Sequence, residues 1–65
     1  MSPAPADMLR AAAAQLRGIG HAGAATYEAM IEPAEQVPVL YRHWAREAVD
    51  YAARHVAARV LGEAA

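Results

Sequence analysis

Cysteine, lysine, asparagine and phenylalanine are absent from these 65 residues, and serine and threonine occur once each, as Ser2 and Thr26. Without cysteine there is neither a disulfide staple nor a thiolate metal site. One serine near the N-terminus and one threonine leave no Ser-His-Asp or Cys-His arrangement to build. A paired-carboxylate acid/base site would need a cleft that a few small helices scarcely provide, so we expect no enzyme and no cofactor. No apolar run approaches the ~20 residues that span a bilayer. The opening MSPAPADML lacks a cationic leader followed by an apolar core, so the expected location is cytoplasmic. The formal net charge is −1 with both signs interspersed, which offers no basic face for nucleic acid and no polybasic run for a membrane.

What is present is alanine, with arginine supplying every basic side chain, a composition typical of GC-rich genomes. Sixty-five residues make one domain at most. So short a chain buries only about 60% of its unfolded surface, which favours completion by self-association or a partner.

The stretch Val39 to Leu61, VLYRHWAREAVDYAARHVAARVL, is the longest periodic segment. At about 100° per residue, Arg42, His43, Arg46, Glu47, Asp50 and Arg54 gather on one side. Val37, Tyr41, Trp44, Ala45, Ala48, Tyr51, Ala52 and Val56 gather on the other, which makes the helix amphipathic. Pro38 suits its first position and Gly62 a left-handed stop, so the spacing predicts a helix over about 38–61.

Before it, a helix is expected over about 5–17, opened by Pro5 with Asp7 in its first turn. Met8, Leu9, Ala12, Ala13, Leu16 and Ile19 form its apolar side, a shallow face against which Trp44 and Tyr51 can pack. GIGHAG, Gly18 to Gly23, reads as a helix stop at Gly18 and a flexible corner. No strand precedes it and no Lys-Ser or Lys-Thr pair follows, so it matches no phosphate-binding loop. A second short helix is expected over about 24–32, with Tyr27, Met30 and Ile31 on one side. Pro33 and Pro38 disfavour helix at the residues before them, which confines 33–37 to a turn or one helical turn and leaves an acidic cluster of Glu28, Glu32 and Glu35. Met1 to Ala4 and Glu63 to Ala65 are expected to fray. The expected fold is therefore all-α: a single domain, 1–65, of two short helices packed on one long C-terminal helix, completed by oligomerisation or a partner.

His43, Glu47 and Asp50 occupy successive turns of one face and could bridge a metal, but there is no HExxH and no fourth ligand. A solvated face of helix ion pairs accounts for them, and we assign no metal. His55 and Arg59 interrupt the apolar seam near its end, either because the long helix outruns its neighbours or because this end meets an acidic group of another subunit. The aromatics Tyr27, Tyr41, Trp44 and Tyr51 read as core, though Trp and Tyr also anchor interfaces. The partner-binding residues expected on this reading are Tyr41, Trp44, Ala48, Tyr51, Ala52, His55, Val56 and Arg59.

Three segments resemble short uncharacterised helical proteins carried by phages and prophages of high-GC bacteria. These are LRAAAAQLR (Leu9 to Arg17), TYEAMIEP (Thr26 to Pro33) with His43 and Trp44 after it, and RHVAARVLGEA (Arg54 to Ala64). Together they cover roughly half the chain, and the longer middle segment such proteins often carry is missing. The resemblance implies a phage-related origin and transfers no activity or catalytic residue.

The expectation is a non-enzymatic helical interaction module, a homo-oligomer or a chain docked on a larger protein, in the manner of an inhibitor, adaptor or assembly component. The alternative is a small nucleic-acid-binding regulator using Arg42, Arg46 and Arg54 with Arg10 and Arg17. The interleaved Glu47 and Asp50 would face the phosphates and argue against it.

Overall fold

Alanine decides how closely these helices approach. The computed structural model describes residues 2–64, and the expectations for Met1 and Ala65 lie outside the described residues. The helices are α1 (Pro5–Gly18), α2 (Gly23–Gln36) and α3 (Arg42–Ala64), with a 3₁₀ turn at Pro38–Tyr41 leading into α3. The fold is all-α, two shorter helices packed with a long C-terminal one. Arg17 pairs with Glu28 and Arg10 approaches Glu35 at 3.8 Å, so α2 runs antiparallel to α1. The N-terminal part of α1 lies beside Arg42 and Arg46, and Ile19, just past its end, meets Arg59, so α3 runs parallel to α1. Helix α1 is in broad contact with both neighbours, whereas the backbones of α2 and α3 scarcely meet. The result is a flattened body of 42 × 23 × 14 Å.

The core is built from Ala6, Leu9, Ala12, Ala13 and Leu16 of α1, Ala24 and Ala34 of α2, and Ala45, Ala48 and Ala52 of α3. Leu9 and Leu16 are its only large, fully buried side chains among the described residues. Helix axes separate according to the side chains between them, 8–10 Å in general, and alanine faces sit at the short end. Met8, Ile19, Tyr27, Met30, Ile31, Tyr41 and Tyr51 pack around the rim.

Four boundaries differ from the sequence expectation. The α-helical part of the long helix begins at Arg42 rather than at Pro38, which opens the 3₁₀ turn before it. Helix α1 continues through Gly18, and the left-handed residue is Gly20, at φ 69°. His21 N–H donates to Leu16 O at 2.9 Å and Gly20 N–H to Arg17 O at 3.0 Å, the paired bonds of a Schellman stop with Gly20 at its left-handed position. Helix α2 does not end before Pro33 but runs through it to Gln36. Proline removes one intrahelical bond, and Ala34, buried in the core one residue later, together with Val37 N–H donating to Pro33 O at 2.9 Å, offsets that loss. Gly62 does not stop α3, because the chain there meets no neighbour that would make it turn, and Glu63 and Ala64 are helical rather than frayed.

The two glycines at the first corner should therefore respond oppositely to alanine. Gly20→Ala places a Cβ on a left-handed residue and is expected to cost about 1–2 kcal/mol. Gly18→Ala adds a methyl where no atom lies within 4 Å of it, inside a helix, and is expected to stabilise by up to ~1 kcal/mol. Thermal unfolding of the two variants compares them directly; a Gly20→Ala protein as stable as the parent would refute the assignment.

Candidate functional site

The first corner is tied down by side-chain hydrogen bonds. Gly23 N–H, the first amide of α2, donates to His21 Nδ1 at 2.8 Å, so this imidazole caps the helix and carries its proton on Nε2. That Nε2–H donates to the Tyr51 hydroxyl oxygen at 3.2 Å, tying the corner to α3. The His55 ring stands 4.5 Å from that of His21 and 4.2 Å from that of Tyr51, and Tyr27 of α2 meets Tyr51 edge-on at 6.0 Å. Burial raises the Tyr27 phenol above its ordinary pKa of 10.0, with Tyr51 and Glu47 adding to the rise and Arg54 opposing it. Arg59 completes the cluster by donating to Ile19 O at 3.1 Å and to Glu63 at 2.8 Å. Five side chains from three elements thus clamp this end of the molecule. His21 has no place in the residue list derived from sequence, because a histidine among glycines reads as loop; an acceptor two residues ahead of a helix start is the signal that identifies it.

The expected partner stripe is divided by this packing. Ala48 and Ala52 are fully buried against α1 and cannot reach a partner in this fold. Tyr41, Tyr51, His55 and Val56 are half-buried. Trp44 was expected to lie on α1 but is 48% exposed, because the alanines beside it occupy the contact. Arg59, read either as part of an exposed helix end or as a contact to an acidic group of another chain, bonds within its own. Two of the three acidic-cluster residues are likewise engaged, Glu28 by Arg17 and Glu35 by Arg10.

The apolar surface lies elsewhere. Val37, Val39, Leu40 and Trp44 are exposed around the corner between α2 and α3, Leu40 at 68%. Beside α3's first turn, Pro3, Pro5, Met8, Arg42 and Arg46 border an open recess of about 540 Å³. Among the described residues, Arg42 and Arg46 are the arginines without an ion pair. Asp50, one of the three side chains weighed as metal ligands, is held by Arg54 at 3.0 Å, and His43 stands edge-on to Trp44 at 5.9 Å. No three His, Asp or Glu side chains converge on a common point among the described residues, and no helix is long and apolar enough to cross a membrane.

In comparisons with known proteins, no family model, curated protein or solved structure matches this chain.

Proposed function

We propose that this protein is a non-enzymatic helical interaction module, and that the corner between α2 and α3 is its docking surface. One observation carries the reading: among the described residues seven large hydrophobic side chains are exposed, while two are fully buried. Scattered surface leucines are ordinary, but Val37, Val39, Leu40 and Trp44 fall within eight consecutive residues, and such concentrations mark contact sites. Tryptophan, which closes this run, is the residue type that most often anchors an interface. The resemblance of three segments to short phage-carried proteins favours an inhibitor, adaptor or assembly component, and a cytoplasmic setting suits that role. Support for the nucleic-acid alternative is thinner. Arg10, Arg17 and Arg54 are paired with Asp7, Glu28 and Asp50, which leaves Arg42 and Arg46 to meet phosphates.

Leu40→Ser tests the reading, since a side chain so exposed contributes little to folding. Thermal stability is expected to stay within ~0.5 kcal/mol of the parent. Photo-cross-linking from position 43, exposed beside Trp44, in the producing cell is expected to yield one defined adduct with the parent and none with the Leu40→Ser variant. An adduct unaffected by the substitution would count against this surface.

A further inference from the structure

A second apolar row runs along α3. Val49, Ala53, Val56 and Val60 recur at spacings of four, three and four, so they share one edge of the helix. Val49 and Val60 are 41% and 58% exposed, Ala53 is exposed and Val56 is half-buried. This edge adjoins the arc of Ala45, Ala48 and Ala52 that α1 covers. It lies on the flank opposite Tyr51 and His55, which lean toward α2 and the first corner. The row is therefore left open by the fold.

Charges of opposite sign close the row at its two ends. Arg46 stands three residues before Val49, and Glu63 three residues after Val60, both continuing the same alternation of three and four. Arg46 has no ion pair among the described residues. Glu63 meets Arg59 one turn back, and both of those side chains are more than half exposed. An alternation of three and four averages 3.5 residues, the repeat of helices that pair with a left-handed crossing near 20°.

We infer that this edge pairs with the same edge of a second copy of the chain, antiparallel, about a two-fold axis. Antiparallel register sets Arg46 against Glu63 of the second copy, Val49 against its Val60 and Ala53 against its Val56, and the axis repeats the three layers in reverse. Four apolar layers then lie between two ion pairs. The parallel arrangement would instead set Arg46 against Arg46 and Glu63 against Glu63, so the charges select the orientation. An isologous pair of this kind closes on itself and leaves the corner of Val39, Leu40 and Trp44 free. Five turns of contact make an interface near the small end of the specific range, so the dimer should dissociate on dilution, on the order of micromolar concentrations. The inference rests on the proposed interaction role and names one partner for it.

Sedimentation equilibrium over a concentration series tests association, and the absence of cysteine makes introduced thiols unambiguous reporters. Mixing V49C and V60C under mild oxidation is expected to give mixed disulfides about tenfold over the V49C homodimer. R46E and E63R alone should each weaken the dimer about tenfold. Their one-to-one mixture should regain parental affinity, because both ion pairs are then restored, one in its original polarity and one reversed. All four positions are solvent-accessible, and at concentrations low enough for the parent to be monomeric, helicity and thermal midpoint should match it. A protein monomeric throughout, V49C products that exceed the mixed ones, or a mixture no tighter than its components would overturn the inference. A monomer that still cross-links from position 43 defeats the pairing alone; one that also fails to cross-link defeats the interaction role as well.

Discussion

Leu16→Ala is expected to unfold a large part of the population at room temperature. Among the described residues, Leu16 and Leu9 are the two large side chains that the core encloses completely, and alanine fills nearly all the rest. Truncating a buried leucine generally costs ~2–5 kcal/mol, the upper values applying where neighbours cannot collapse into the space. Apart from Leu9 the other fully enclosed residues are alanines, which have no rotamers with which to fill a void. Stabilities near ~0.05–0.15 kcal/mol per residue give a chain of this length about 3–10 kcal/mol in all. The loss is therefore comparable with the total. Urea titration followed by helical circular dichroism should show the midpoint falling by half or more, whereas Leu61→Ala, on an exposed turn of α3, should stay within ~0.5 kcal/mol of the parent. A Leu16→Ala loss under ~1 kcal/mol would mean that the core does not close on this side chain.

Ala48→Leu should be damaging in the opposite sense. Ala45, Ala48 and Ala52 are each fully buried and belong to one cluster with Ala12 and Leu16 of α1. Three added carbons at Ala48 require α3 to move off α1 along its whole contact, or the leucine to adopt a strained rotamer. Overpacking of this kind costs ~1–3 kcal/mol and sometimes more. By the usual measure leucine is the more hydrophobic residue and at least as willing a helix former as most, so a gain in stability would be the naive forecast. Ala58→Leu is the control: ten residues along the same helix, exposed, and expected to change stability by less than ~0.5 kcal/mol. Equal effects at positions 48 and 58 would show that the close approach of α1 and α3 does not hold the fold.

These two substitutions mark where a reading of residues succeeds and where it stops. Period and punctuation identify the helices, since alanine-rich runs at 3.6-residue spacing have no competing structure, and Pro5 and Pro38 mark the starts of α1 and of the turn into α3. The ends are harder. Gly18, Gly20, Gly62 and Pro33 are strong local signals, yet only at Gly20 does the chain take the left-handed conformation, and Pro33 is carried inside a helix. Whether a local signal is obeyed depends on what lies across from it: Ala34 has a core to enter, and Gly62 has nothing to turn toward.

The surface was less legible than the fold. Periodicity marks one side of α3 as apolar but cannot rank its two adjoining arcs, one of alanines and one of valines. Transfer energies favour valine and tryptophan inside. Close helix approach favours alanine, and in this molecule approach prevails: Ala45, Ala48 and Ala52 lie within, while Trp44, Val49 and Val60 face outward. Sequence alone determined that this chain makes three amphipathic helices, because hydrogen bonding and periodicity are settled within each segment. Tertiary structure alone decided which arc of α3 meets α1, because the separation of two helices belongs to both surfaces at once.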